Sequence, residues 1–370
     1  MVEVVRAAAT VPRDWAVEFA TRAYIAAGVP EDAARKAGVA IVDADLHGTV
    51  THGLKNLRNY VSGLLDKRIN PRPNIQEVGG PAAAKIIDAD NAHGHVAGHV
   101  GMERAIALAR EFGVGNVFVR HSNHYGASGY WARLALQHNM IGFAFTTATA
   151  SIAPWGAREA LVGNNPPAWV VPTHVVDESA ELQPADMDSM FLDIALSVVA
   201  GNRLDIYRRR HEPLPSTNWA LDKSGEPTTD PAARQNGGSY APLTEYKGSG
   251  MAIVLAAINN FLSGNVYDDQ RTRPEGGQVH GSTSHWFTAY DVAQFVDPAQ
   301  FTTQVRELRD RIHATTPRAG FERVYAPGEI ENEKVRNYTK GGIPLEQFTV
   351  DELHWVAEHT GIPWDLPGKS

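Results

Sequence analysis

The chain has 370 residues, 43% of them hydrophobic and 21% charged, with a net charge of −8 and a pI near 6.0. Those values describe an ordinary globular protein of two or three domains' length, with ample chain for a sizeable core. The densest basic cluster is the short Arg208–His211, so nucleic acid is not an expected partner, and the lack of cysteine removes disulfides, zinc–thiolate sites and a thiol nucleophile while fitting a reducing cytoplasm.

The N-terminal MVEVVRAAATVPRDW has no signal-peptide core, and the longest apolar run, Gly250 to Gly264, is broken by Asn259 and Asn260. No membrane span is therefore expected. Residues 12–46 read as two helices: Trp15, Phe19 and Tyr24 lie near one face of the first, and Pro30-Glu31-Asp32 opens the second. Next comes ADLHGTVTHGLKNLRNY, in which Leu54, Leu57, Val61 and Leu64 recur at helical spacing. Thr51 is the expected N-cap, with His52 in the first turn. A helix dipole there keeps an imidazole neutral and fit for proton exchange near neutral pH; the bland alternative is a capping histidine. Pro71 and Pro73 suggest a linker.

Asp88 to Gly94 is turn chemistry, followed by a helix carrying Met102, Ala105, Ile106, Ala109 and Phe112. Val117 and Val119 form a short strand that delivers His121-Ser-Asn-His-Tyr-Gly126. A helix over 128–138, a strand over 141–146 and a glycine- and proline-rich loop over 153–168 come next. Strands are expected over 168–171 and 190–196, with a polar, acidic surface insertion over 175–188. Residues 218–231 read as a strand running into a turn-rich loop. Glu245 to Gly250 starts a long apolar helix to Leu262, and further helices cover 298–315 and 349–360. There is no internal repeat. The pattern implies an α+β body over 75–329, with a helical domain formed by 1–74 and 330–370.

No G-x-G-x-x-G or P-loop is present, so a Rossmann site is not expected. Lys247-Gly248-Ser249-Gly250 is the best anion site: glycines admit a ligand to backbone N–H groups and Lys247 adds charge. The alternative is a glycine turn with a solvent-facing lysine. His93, His95, His121 and His124 offer a second reading, a metal-dependent hydrolase, against two unrelated loop clusters with no carboxylate at matching spacing.

Eight stretches together resemble the NAD(P)-dependent malate/L-lactate dehydrogenase family, type 2: DADLHGTVTHGL (43–54), HSNHYGASGYWA (121–132), APWG (153–156), GNNP (163–166), LDIALSVVA (192–200), WALDKSGEPTTDP (219–231), YKGSGMA (246–252) and APGE (326–329). Each is weak alone; their order along nearly the whole chain is specific. The resemblance implies a non-Rossmann cofactor domain on a mainly antiparallel sheet. It also implies a homodimer with sites near the subunit interface, and hydride transfer between NAD or NADP and a small carbonyl, hydroxy or imino compound. It assigns acid/base work to His52 and an active-site role to His124, with Thr51, Asn56 and Arg58 on the substrate side. Cofactor contacts fall to Asn165, to Asp193, Ile194 and Ala195, to Lys247 and Gly248, and to Pro327, Gly328 and Glu329.

The chain departs from the family at Asn56, where the family pattern has a carboxylate-anchoring arginine. Asn cannot make a bidentate charged clamp, and Arg58 sits roughly 200° around a helix from that position. The expected substrate is therefore not a simple 2-oxo acid, so pyruvate and oxaloacetate should be poor substrates; the alternatives are Lys55 or Arg58 in a shifted register, or a non-catalytic ligand-binding paralogue. On the first reading Asn56→Arg improves pyruvate and oxaloacetate as substrates. The acidic 175–188 stretch favours NAD slightly over NADP.

Overall fold

Pro12 and Pro30 each stand immediately before a helix, where a missing N–H costs nothing: α1 is Arg13–Ala26 and α2 is Glu31–Leu46. The helices close over Gly38, where a Cβ would meet Thr21 Oγ1 at 2.6 Å. The computed structural model describes residues 6–180, 188–271 and 281–367. Helix α3, Leu57–Leu65, joins the first two, and α10, Gln347–Thr360, packs on them from the other end of the chain. β1 (Ala9–Val11) pairs antiparallel with β12 (Ile343–Leu345). Phe19, Ile41, Leu54, Leu57, Leu353 and Val356 share one core, so both ends of the chain build one helical layer.

The second core lies on a seven-stranded sheet. In chain order the strands are β2 (Gln76–Gly79), β3 (Ala84–Ala92), β4 (Val114–Ser122), β5 (Met140–Thr146), β6 (Pro167–Pro172), β7 (Ser189–Asp193), β8 (Ala220–Leu221), β9 (Pro227–Thr228), β10 (Ser239–Tyr240) and β11 (Thr283–Asp291). The large sheet runs β2-β3-β4-β11-β5-β6-β7, and β10-β8-β9 form a small one. Every neighbouring pair in the large sheet is antiparallel except β3–β4, which excludes a doubly wound Rossmann sheet. Helices α4 (Gly94–Phe112) and α5 (Ser128–Arg133) cover one face. They sit close because Gly115 and Gly142 carry no side chain: a Cβ at either would lie 2.0 Å from a helix carbonyl oxygen. The remaining helices are α6 (Gly201–Arg209), α7 (Tyr246–Ser263), α8 (Pro298–His313) and α9 (Glu329–Gly341). Among the described residues no helix is long and apolar enough to cross a membrane.

Several local expectations change. β3 runs through the segment read as turn chemistry, with Asp90 and Asn91 taking the left-handed turn inside it at φ 50° and 58°. β7 ends at Asp193 rather than 196, and the expected 128–138 helix splits into α5 and a 3₁₀ turn. β11, α6 and α9 carry no expectation at all. Of the acidic insertion, residues 181–187 lie outside the described residues.

Candidate active site

The chain does not enter α3 directly after Thr51. It makes two 3₁₀ turns, Val50–His52 and Leu54–Asn56, before α3 begins at Leu57. The cause is Asp45, buried at the end of α2, whose carboxylate accepts the Leu54 N–H at 2.7 Å. Gly53 lies against that carboxylate so tightly that a Cβ would sit 2.2 Å from it. Thr51 is therefore not a helix cap; its Oγ1 lies 2.8 Å from His52 Nδ1 and orients the ring. Nor does a helix dipole set the charge on His52. Burial, then the repulsion a protonated ring would meet from a protonated His124 and from Lys55, pulls its pKa down to about 3.

His124 arrives from the end of β4. Asn123 anchors that loop by donating to the Ala92 carbonyl at 2.8 Å, and Gly94 leaves room for it, since a Cβ there would lie 2.2 Å from the His124 carbonyl oxygen. The His124 ring stacks on His52 with centroids 5.6 Å apart and planes inclined by 17°. Solvent reaches it, but the protein packed around it holds its pKa down to about 4. Its Nδ1 lies 2.6 Å from the Tyr60 hydroxyl and accepts the Gly126 N–H at 3.3 Å. A backbone donor on Nδ1 places the proton of the neutral ring on Nε2. Both histidines are thus neutral at pH 7, each with Nδ1 engaged and Nε2 left for a ligand.

The four histidines of the hydrolase reading do not converge. His93 and His95 are buried behind Tyr60, while His121 turns to Asp88 at 2.9 Å. No group of three or more His, Asp or Glu among the described residues is placed to hold a metal ion.

A cavity of about 430 Å³ opens beside His52. Thr51 and His52 line it; so do Asp193, Ile194 and Ala195 at the end of β7, with Pro327 and Gly328 beside Phe191 of the same strand. Asp193 accepts the Gly129 N–H at 2.7 Å, and burial raises its pKa to about 6. Glu329 turns away, accepting the Ala326 N–H at 2.7 Å and pairing with His313. Asn165 does not face the cavity: it accepts the Ala148 N–H at 2.8 Å and donates to Asp268 at 2.7 Å, and Asn164 lines the wall instead. Lys247 is exposed on the first turn of α7, outside the wall; Gly248 packs under Leu243, which does line it.

The three candidates around position 56 also point elsewhere. The buried Asn56 amide donates to the Thr51 carbonyl at 2.8 Å, so it holds the His52 turn from beneath. Lys55 is buried 3.5 Å from Asp205. Arg58 is exposed, pairs with Glu352 at 2.9 Å and lies over the Trp355 ring at 4.4 Å.

The cavity also gathers His47, Arg133, Arg203, Glu331 and Lys334, none of which spacing singled out. Arg133 is buried, donates to Asp43 and lies over Phe191 at 5.0 Å. Burial pushes the Asp43 carboxyl up, but Arg133 and His47 outweigh it and hold it at about 2. A lone arginine in the otherwise apolar helix α5 is the one sequence signal of this pair.

An antiparallel-sheet fold with a neutral histidine pair beside a ligand-sized cavity belongs to a non-Rossmann class of dehydrogenases. The malate/L-lactate dehydrogenase family profile matches residues 11–354, and the chain belongs to that family. It is an NAD(P)-dependent dehydrogenase or reductase. The malate dehydrogenase of Pyrococcus horikoshii is 31% identical over 362 residues, covering 95% of this chain and 96% of the relative. Its solved structure superposes with a TM-score of 0.85 at 28% identity, over 98% of this chain and 99% of that one. Ureidoglycolate dehydrogenase (NAD(+)) of Escherichia coli K12 is 29% identical over 337 residues, 89% of each chain. (2R)-3-sulfolactate dehydrogenase (NADP(+)) of Chromohalobacter salexigens is 32% identical over 285 residues, 75% of this chain and 80% of the relative.

Proposed function

We propose that this dehydrogenase interconverts a small hydroxy compound and its carbonyl, or an amine and its imine, with His52 moving the proton and His124 orienting the reacting group. The observation that carries this reading is the stacked His52–His124 pair, of which His52 lines the cavity. The cavity volume is that of a small-molecule site. Its walls fit a nicotinamide dinucleotide: Asp193 offers a carboxylate, Gly328 brings bare backbone, and the buried Arg133 has an Nε without a partner. Asp193 to Ala195, Pro327 and Gly328 would hold the cofactor, which when bound supplies or accepts the hydride.

The residues divide the remaining work. Neutral His52 takes the hydroxyl proton through Nε2 during oxidation and returns it during reduction. His124 donates from Nε2 to the substrate oxygen or nitrogen, its tautomer held by Gly126. Asn56 and Asn202 both donate to the Thr51 carbonyl, at 2.8 and 2.7 Å, which keeps His52 in place.

The two cavity carboxylates, Asp193 and Glu331, support NAD over NADP, because a carboxylate accepts from a ribose diol and repels a 2′-phosphate. Nicotinamide fluorescence titrated with NADH and with NADPH tests both levels of the reading. Binding of NADH is expected, tighter than NADPH; binding of neither would end it. A diffusible nicotinamide pool and a cysteine-free chain support a cytoplasmic location.

A homodimer is supported by α7. Met251, Val254, Phe261 and Leu262 are exposed along it, Phe261 at 64%, and such a stripe favours a self-complementary contact. Helix α7 starts close to Leu243 in the cavity wall, so the interface would run near the site. Phe261→Glu is expected to halve the mass measured by light scattering; an unchanged mass rejects this face, and a monomeric parent rejects the dimer.

A further inference from the structure

Tyr24, Tyr60, His93 and His95 meet behind His124, and none of them lines the cavity. Tyr24 comes from α1, Tyr60 from α3, and His93 and His95 from the start of α4. The His93 ring centroid lies 4.8 Å from those of Tyr60 and His95 and 5.1 Å from that of Tyr24; His95 lies 5.1 Å from Tyr60. All four residues are at most 5% exposed. Yet the Tyr24 hydroxyl, His93 Nε2 and both ring nitrogens of His95 find no partner among the described residues. Polar groups shut away from solvent are seldom left unpaired, because each has given up its hydrogen bond to water.

The donors and acceptors of this cluster complement one another. His93 Nδ1 accepts the His95 N–H at 3.1 Å, so the proton of the neutral ring sits on Nε2, a donor. Burial, then the nearby Tyr60 hydroxyl, holds the Tyr24 phenol well above its ordinary pKa, so it too keeps a proton to donate. Burial keeps His95 neutral, with one bare nitrogen in either tautomer. Tyr60 donates to His124 Nδ1 at 2.6 Å, since Nδ1 also accepts the Gly126 N–H, and the Tyr60 oxygen is left as an acceptor. Two donors and two acceptors from three helices suit one water molecule, which accepts from two groups and donates to two; a buried water typically makes about three such bonds.

The effect reaches His124. A water that donates to the Tyr60 oxygen strengthens the bond from Tyr60 to Nδ1, because linked hydrogen bonds polarise one another. Electron density drawn toward Nδ1 makes the Nε2–H a stronger donor to a substrate oxygen or nitrogen.

We propose that Tyr24, His93 and His95 hold a structural water behind His124, and that this water acts through Tyr60 to orient His124 and strengthen its Nε2 donor. Tyr24, His93 and His95 are positioning residues. The kinetic part rests on the hydride-transfer reading, with His124 donating to the substrate; the water site does not.

The test uses the full-length parent, Tyr24→Phe and His93→Gln. A crystal structure of the parent shows an ordered water within hydrogen-bond distance of Tyr24 Oη, His93 Nε2 and Tyr60 Oη. Direct pairing among these side chains, or no ordered water, overturns the proposal. The nitrogen NMR shift of His124 Nδ1, assigned by its loss in His124→Gln, reports the bond from Tyr60. Tyr60→Phe marks the shift with that bond removed. Tyr24→Phe moves part of the way there, and His93→Gln, which keeps a donor, stays near the parent. Turnover is read with the best substrate from a panel of small ketones, 2-oxo acids and imines. Tyr24→Phe lowers kcat roughly 2- to 10-fold, the size of one hydrogen bond, with KM and NADH affinity within about two-fold. His93→Gln keeps most of the parent's kcat. An unmoved shift or an unchanged kcat in Tyr24→Phe overturns the link to His124. An effect confined to KM, or shared by NADH affinity, overturns it as well, since it marks a loosened fold. A parent that binds neither NADH nor NADPH overturns the hydride-transfer reading, and the crystal structure and the NMR shift then decide the water site without turnover.

Discussion

His52→Ala is expected to lower turnover by roughly 10²–10⁴-fold, the usual size of a lost general acid–base group, while NADH affinity stays within about two-fold. The asymmetry follows from the site. His52 faces the cavity on the wall shared with Thr51, whereas the proposed cofactor walls belong to β7 and the Pro327–Gly328 turn. The pH profile carries a second signature. With His52 held near 3 and His124 near 4, both rings are neutral from pH 6 to 8. In the oxidative direction a neutral His52 is already a base, so kcat/KM should show no acid limb near the ordinary histidine value of about 6.5. The limb should appear only at markedly lower pH. A variant that keeps turnover within a few-fold of the parent would remove His52 from the mechanism. A limb centred near 6.5 in the parent would show that the ring is better solvated than its surroundings imply.

The elements that spacing reveals are those with one wet face. Helices α1, α8 and α10 alternate buried and exposed residues at the helical period, as do the first half of α2 and the second half of α4, and their limits fall within a few residues of expectation. β11 sits at the centre of the sheet with both faces covered, so Ser284, His285, Phe287, Thr288 and Ala289 are all buried and no alternation survives to mark it. The His52 turn was hidden for a different reason. Leu54, Leu57, Val61 and Leu64 do point to one core at helical spacing, but the first of them is delivered by a 3₁₀ turn that Asp45 holds from nine residues away. The family resemblance places Thr51, Asn56 and Arg58 together on the substrate side; Thr51 reaches the cavity wall, Asn56 lies beneath it and Arg58 faces α10. Helix α6 is about 150 residues from His52, and its nearness shows only in the fold, in the Asn202–Thr51 hydrogen bond and the Lys55–Asp205 pair. Motif order identified the family without any of these contacts.

Stability is expected to fall steeply as pH drops from about 6.5 toward 4. His93, His95, His99 and His285 are at most 8% exposed. Burial is the first cause of depression in each, holding His93 at about 3 and His99 at about 4, with His95 and His285 well below the ordinary value. His285 is satisfied as a neutral ring, with Thr146 and Ser122 hydroxyls each 2.8 Å from one nitrogen, while His95 has no partner on either. Unfolded, all four take a proton near pH 6.5 that the native state refuses, so the unfolded state binds more protons below that pH and gains as pH falls. Two carboxyls act in the opposite sense. Burial raises Asp45 to about 7 and Asp193 to about 6, so the native state holds protons there that the unfolded chain releases above about pH 4. His52 and His124, held near 3 and 4, add two more, and six protons against two leave the unfolded state about four ahead between pH 6 and 4. Each contributes up to about 1.4 kcal/mol per pH unit, so stability declines by roughly 4–6 kcal/mol per unit in that window. Denaturant melts at pH 7, 6 and 5 measure the slope, and a flat or rising stability over that range would contradict the argument. His95→Leu separates its parts: it removes one refused proton without touching the cavity wall, so the variant's slope should fall by about a quarter while its stability at pH 7 changes little.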